Sequence, residues 1–292
     1  MSLTRRRFLS LFAAATALPG AAQAMPTTWT GRAFGAEVSI SLRSGGPEVA
    51  DHIAQVVAEM RRIEALFSIY DAGSELSRLN RAGEAIVSAD MVTVLNTARQ
   101  VYRATGGAFD PSVQPLWAAT SLGGDASGAA DLVGFDRVQI AGSHVSLGQG
   151  QALTLNGIAQ GFAADRITAL LRRLGYQQAL VNMGEHSAIG GPYRLGLSDP
   201  EAGHLGHLSL TNASMATSSP GAMQIGSEGH ILHPVFAPQW ATVTVEAPSA
   251  ALADAASTAL CLLNADQTRK AKRELGLSRV VLVDEEGSLT TL

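Results

Sequence analysis

The sequence is short of the residues that staple a fold together or fasten it to a polyanion. It holds one cysteine, Cys261, so a disulfide framework is excluded and a cysteine-built metal centre is not expected. Cys261 lies in an apolar stretch and reads as a small buried hydrophobe. Charged residues make up 16% of the chain, the formal net charge is −4, and no Lys/Arg patch stands out beyond the N-terminus. Nucleic acid is therefore not an expected partner. Past the N-terminal segment no apolar run approaches the roughly 18 residues that a membrane-crossing helix needs. No internal repeat is present, and no linker divides the chain. Its 292 residues suffice for one large domain or two small ones.

What is present begins at the N-terminus. "TRRRFLSLFAAATALPGAAQA" has a basic start, a short apolar run and a small-residue end at Ala22-Gln23-Ala24. That is the form of an export signal. Thr4-Arg5-Arg6-Arg7-Phe8-Leu9 fits the twin-arginine pattern, an address and not an anchor; an ordinary secretory signal is the alternative. Residues 1–24 are read as a twin-arginine signal peptide and 25–292 as one mature domain, expected in a bacterial periplasm.

Periodicity predicts the elements of that domain. "AEVSISLRS" (Ala36 to Ser44) alternates like a strand. Residues 47–70 carry Ile53, Val56, Val57, Met60, Ile63 and Phe67 on one helical face. A second helix follows Ser88, its expected N-cap, and stops at Gly106. Residues 106–117 and the Gly-rich 121–132 read as loops, and 135–157 as a meander of short strands. Helices are expected over 158–176, 252–264 and 267–276. Strands are expected over 178–184, 193–200, 206–218 and 240–248, with an exposed hairpin or strand at 278–289. Runs of strands mixed with separate helices predict an α+β fold.

Candidate chemistry starts at "LADAASTALCLL" (Leu252 to Leu263). Asp254 and Thr258 are four residues apart, so on a helix they share a face. A carboxylate and a hydroxyl so placed can hold one hard cation, because Mg²⁺ takes oxygen ligands and leaves positions for water and phosphate. The alternative is a helix N-terminus that Asp254 caps. Gly157 and Gly161 enter a helix after a strand, where backbone N–H groups can face an anion or simply make a turn. Tyr70, just past a helix, is either core or a platform for a flat ring. "MATSSPGA" offers Thr217 and Ser218 for close approach by a ligand, and "GHILHP" brings His230 near His233.

Eight segments in order, "FSIYDAGSELSRLN", "TGGAFDPSVQPLW", "LNGIAQGFAAD", "LVNMG", "GLSDP", "MATSSP", "GHILHP" and "ADAASTAL", resemble the ApbE family of FAD:protein FMN transferases. They cover nearly the whole mature chain. "LNGIAQG" and the leader are most similar to the NosX-type branch associated with nitrous oxide reductase maturation. The resemblance implies FAD and Mg²⁺. It implies Asp254, Thr258 and the Gly157 carbonyl as metal ligands, and Tyr70 packed on the isoalloxazine. It places the backbone of Gly107, Ala108 and Phe109 at the flavin and His230 near the phosphates, as a candidate proton acceptor or a turn residue. Thr154, Gln160, Thr217 and Ser218 fall among the cofactor-binding positions. The implied partner is a periplasmic or membrane-bound redox protein with an acceptor Thr, and AMP is the implied leaving group.

Four residues depart from the family pattern. Thr154 replaces an Asp, Gln160 a Lys, Glu185 the second Gly of Asn-x-Gly-Gly, and His233 the Asp of His-Ile-x-Asp-Pro. A charge near the phosphates is lost with the Lys, since Gln160 donates hydrogen bonds but cannot neutralise. Alternatives to the transferase are a non-catalytic FAD-binding maturation factor and an FAD pyrophosphatase.

Overall fold

The computed structural model describes residues 26–43, 46–124, 126–226 and 228–292; the leader assigned to 1–24 lies outside them. The chain opens with the hairpin β1 (Thr27–Ala33) and β2 (Ala36–Leu42), then α1 (Val49–Phe67), whose Val56, Met60, Ile63 and Phe67 are buried on the expected face. Helix α2 (Glu75–Ala82) starts at Ser74, whose hydroxyl accepts from the Ser77 amide. After β3 (Glu84–Ile86), α3 (Ala89–Ala104) has Ser88 as N-cap, accepting from the Met91 amide. Next come α4 (Gln114–Ser121), α5 (Ser127–Ala130), β4 (Gln139–Ala141), β5 (His144–Ser146), α6 (Ala159–Arg173), β6 (Ala179–Asn182) and β7 (His186–Ile189). The chain continues through β8 (Tyr193–Asp199), β9 (Gly203–Leu210), β10 (Ser214–Ser218), β11 (Gln224–Ile225), β12 (Glu228–Gly229) and β13 (Thr242–Ala247). It closes with α7 (Ala250–Leu260), α8 (Ala265–Leu275), β14 (Arg279–Val283) and β15 (Leu289–Thr291).

An eight-stranded antiparallel sheet, in the order β1-β2-β6-β7-β10-β13-β14-β15, forms the frame. Strand alternation sorts its residues onto two faces. Ala179, Val181, Ile189, Ala216, Val243 and Val245 join the main core beneath the helices. Leu180, Ala188 and Met215 face the other way, under the β8–β9 hairpin, with Tyr193, Leu195 and Leu210. The architecture is α+β, as the sequence predicts.

Helix α7 occupies the centre, in contact with β10, β13, α6 and α3. Ala253, Ala255, Ala256 and Ala259 are fully buried. Small side chains let the helix backbone approach all four neighbours, and a helix apolar all round belongs inside. Gly161 makes the closest of these approaches. A Cβ there would lie 2.3 Å from the Ala250 carbonyl oxygen and 2.8 Å from the Ala251 Cα, so nothing larger than hydrogen fits between α6 and α7.

The structure corrects several sequence expectations. Residues 75–82, for which periodicity gave no helix, form α2, whose mean hydropathy is low but whose Leu76 and Leu79 are wholly buried. The loop expected over 106–117 runs into α4 from Gln114, and part of 121–132 is α5. Residues 206–218 form two strands, because Asn212, at φ 47°, turns the chain between them. The meander is shorter than expected, with strands only at 139–141 and 144–146 within 135–157. The hairpin or strand expected at 278–289 is the hairpin of β14 with β15, but only β15 is exposed: β14 is buried between β13 and β15, with Val280 to Val283 nearly all inaccessible.

His186 is 3% exposed in β7, and burial pushes its imidazole down to about 4. The unfolded chain takes up this proton near 6.5, so between those values it binds more protons than the folded one and stability drops as the pH is lowered. The full contribution is about 3 kcal/mol. Urea unfolding from about pH 7 to about pH 4 should show the wild type losing stability relative to His186→Asn. Parallel profiles would show that the ring is not held neutral.

Candidate functional site

The two helices at the centre cap each other. Asp254, on α7, is 4% exposed and its Oδ2 accepts from the Gly161 amide at 3.0 Å, in the first turn of α6. In return Asp165, on α6, accepts from the Ala250 and Ala251 amides at 2.7 and 2.9 Å, in the first turn of α7. Each carboxylate satisfies orphan donors of the other helix and complements its dipole. Both remain raised: burial pushes Asp165 up to about 6, and burial plus the charge of Asp165 pushes Asp254 up to about 7. Asp254 thus serves a helix N-terminus, but not that of its own helix, which Ser249 caps.

One turn on, Thr258 faces the loop that precedes α6. A Cβ on Gly157 would lie 3.0 Å from Thr258 Oγ1 and 3.4 Å from the Phe109 ring, so the loop backbone touches both. Ser218, at the end of β10, brings its Oγ within 3.4 Å of Thr258 Oγ1 and 2.7 Å of Ser257 Oγ. Beside it the Thr217 amide donates to Glu185 Oε2 at 3.1 Å, and the Thr217 hydroxyl pairs with that of Thr244 at 2.8 Å. Glu185 follows Gly184, and a Cβ on Gly184 would lie 2.8 Å from Gln160 Nε2. Gly157, Gln160, Glu185, Thr217, Ser218, Asp254 and Thr258 are therefore linked through contacts of α6, α7, β10 and two loops.

No Lys or Arg forms an ion pair with Asp254 among the described residues. A buried carboxylate without a positive partner, next to a hydroxyl and a loop backbone, suits a hard cation. Among the described residues no group of three or more His, Cys, Asp or Glu is arranged to hold a metal ion. A cation here would have to draw on hydroxyl and carbonyl oxygen as well.

The 107–109 segment has spent its donors. The Gly107 amide donates to Tyr102, that of Ala108 to the Thr105 carbonyl, and that of Phe109 to the Thr105 hydroxyl. It can offer a ligand only carbonyl oxygen or van der Waals contact. Thr154 also turns inward on its own loop, its amide donating to Pro111 and its hydroxyl accepting from Asn156. Tyr70 is 70% exposed, which rules out the core reading. It lines a cavity of about 280 Å³ with Ile69, Ser77, Asn80, Arg81 and Gln114, at which Asp254 and Thr258 are not lining residues. A larger cavity of about 420 Å³ includes Asp165, Ser249 and Ala251, beside the α7 N-terminus.

His230 Nδ1 lies 3.1 Å from the Pro220 carbonyl. A carbonyl only accepts, so the proton is on Nδ1 and Nε2 keeps its lone pair. Burial holds this imidazole below its usual value and hence neutral near pH 7. His233 is the opposite tautomer, because its Nδ1 accepts from the Val235 and Phe236 amides at 3.1 and 3.2 Å. Accepting from the amides two and three residues on is what an Asp does in such a turn.

Sequence reasoning missed Asp165, Ser257 and the link from Glu185 to Thr217. The signal for Asp165 was its place one turn beyond Gly161 on a buried helix, where an acid needs a partner.

Fold and site together define a single α+β domain whose centre is a buried carboxylate–hydroxyl cluster under a glycine loop. A family model described as "ApbE family" matches residues 34–281. The chain belongs to the ApbE family. It is 24% identical over 275 residues to a FAD:protein FMN transferase of Haemophilus influenzae, covering 81% of this chain and 80% of that one. A protein of that name from Rhodobacter capsulatus is 27% identical over 280 residues, covering 84% and 53%. The solved flavin transferase ApbE of Vibrio cholerae superposes with a TM-score of 0.81 at 20% identity, covering 92% and 96%. The apo flavinyl transferase ApbE of Pseudomonas stutzeri gives 0.79 at 24%, covering 92% and 94%.

His233→Ala should lower stability by about 1–2 kcal/mol through loss of the two amide partners, and His233→Asp should restore most of it. Thermal unfolding reads both. Equal melting of all three proteins would remove the capping role.

Proposed function

We propose that the protein is a FAD:protein FMN transferase that uses a divalent cation, with Mg²⁺ as the natural choice. The observation carrying this is the close approach of the Gly157 loop to Thr258, one turn from the buried carboxylate of Asp254, with which no Lys or Arg pairs among the described residues. Relatives matched over most of the chain carry the same activity in their names. Asp254, Thr258 and the Gly157 carbonyl would hold the cation, which supplies charge neutralisation at the FAD pyrophosphate.

This chain's residues do the rest. The hydroxyls of Thr217 and Ser218 and the side-chain amide of Gln160 line the approach to the phosphates. Tyr70 gives the isoalloxazine a flat, open face. Nε2 of His230 accepts the proton of the acceptor Thr hydroxyl as its oxygen attacks the FMN-side phosphorus. A new O–P bond forms, the pyrophosphate P–O bond breaks, and AMP leaves with the electron pair. Such a reaction needs mainly positioning and electrostatic stabilisation. Residues 1–24 would direct the protein through the twin-arginine route to the periplasm, where a redox partner carries the Thr. The leader and "LNGIAQG" fit a role in nitrous oxide reductase maturation.

Purified protein incubated with FAD, Mg²⁺ and a Thr-containing target peptide should yield flavin-labelled peptide and AMP. Asp254→Asn keeps shape and an acceptor for Gly161 but removes charge, and should lower turnover at least about 100-fold. FMN plus AMP without labelled peptide would make the protein a hydrolase, and unchanged bound FAD would make it a binder. Full activity in Asp254→Asn would remove the cation site. For export, changing Arg5 and Arg6 to Lys should retain the protein in the cytoplasm on fractionation; periplasmic recovery would indicate the general secretory route.

A further inference from the structure

Glu185 is a carboxylate at the centre of the molecule to which the proposed reaction assigns no task. It is 7% exposed, in the turn between β6 and β7, after Gly184 at φ 99°. Its Oε2 accepts from the Thr217 amide at 3.1 Å, and among the described residues no Lys, Arg or His forms an ion pair with it. Thr217 leads directly to Ser218, whose Oγ is 3.4 Å from Thr258 Oγ1. Burial holds the Glu185 carboxyl well above its usual range, and the negative charge of Asp254 raises it further.

A buried carboxylate, held to the Thr217 amide near a second buried acid, is costly to ionise unless a cation lies beside it. The neighbouring side chains supply none. Gln160, packed on Gly184, is neutral, and Thr217, Ser218, Ser257 and Thr258 offer only hydroxyls. Oxygen donors of this kind match a hard divalent ion, whose affinity rises with the number of anionic ligands.

We infer that Glu185 supplies a second carboxylate to the cation site of Asp254 and Thr258, and that it sets the affinity of that site before the nucleotide arrives. This rests on the cation reading of the previous section. A site with one carboxylate depends on phosphate oxygen to complete its charge balance, whereas a site with two holds a dication alone.

The test is a Mn²⁺ titration of FAD-free protein, followed by the electron paramagnetic resonance signal of the free ion. Wild type should bind one Mn²⁺ that Mg²⁺ displaces. Glu185→Gln keeps the shape and an acceptor for Thr217, and should weaken binding at least tenfold. Glu185→Asp keeps the charge with a shorter reach and should retain more affinity than Glu185→Gln. Circular dichroism of the metal-free variants should match wild type. If Asp254→Asn loses Mn²⁺ while Glu185→Gln binds like wild type, the role of Glu185 is overturned and the cation site stands. If wild type binds no Mn²⁺ without FAD but binds it with FAD, the role of Glu185 is overturned and the cation site stands; if wild type binds none in either case, or neither variant differs from wild type, both are overturned.

Discussion

The exchange of carboxylates between α6 and α7 is the constraint on which the centre of this protein depends. Asp254 bonds the first turn of α6 while Asp165 bonds the first turn of α7. The exchange is possible only because the helix ends meet at Gly161, against the Ala250 carbonyl. That approach in turn needs the alanine faces of α7, since a longer side chain at positions 253, 255, 256 or 259 would push the helix off β10, β13, α6 or α3. The apolar composition of α7 and its one carboxylate are therefore two parts of one arrangement.

The same arrangement sets the electrostatics. Acids capping buried helix ends are stabilised by amide donors and by the dipole, yet burial still lifts both, because amides carry only partial charge. Where Glu185 adds a third acid, the centre of the domain becomes a region that draws positive charge. The Gly157 loop, Thr258 and Ser218 surround that region with neutral oxygen. Rigidity comes from the helix pair and the central strands.

Much of this was legible in the sequence. Helices α1, α3, α6 and α8 follow from apolar spacing and their caps, and the Asp254–Thr258 pair follows from a four-residue step. The family resemblance implied the Gly157 carbonyl as a ligand beside these two, and in the fold the Gly157 loop lies close to Thr258. Helix α2 was not legible, because a short polar helix buries only Leu76, Leu79 and a few polar groups, too few to set a period. The burial of β14 was hidden by the acidic residues after it, which turn the chain toward solvent while the strand itself is inside. The reciprocal caps join residues 93 and 85 positions apart, and no local pattern reports such a pairing.

The four departures from the family pattern differ in physical kind. His233 alters the residue but keeps its work, since an imidazole nitrogen accepts from the Val235 and Phe236 amides as a carboxylate would. Thr154 has its hydroxyl and amide satisfied within its own loop, so a carboxylate lost there leaves no exposed deficit. Gln160 and Glu185 are different, because they meet across Gly184 and both shift the local charge in the negative direction, one by lacking a cation and one by adding an anion. On the cation reading proposed above, an ion arriving with a pyrophosphate or before it would let these buried acids ionise, and the pair formed by Gln160 and Glu185 is where this chain would differ from the family pattern.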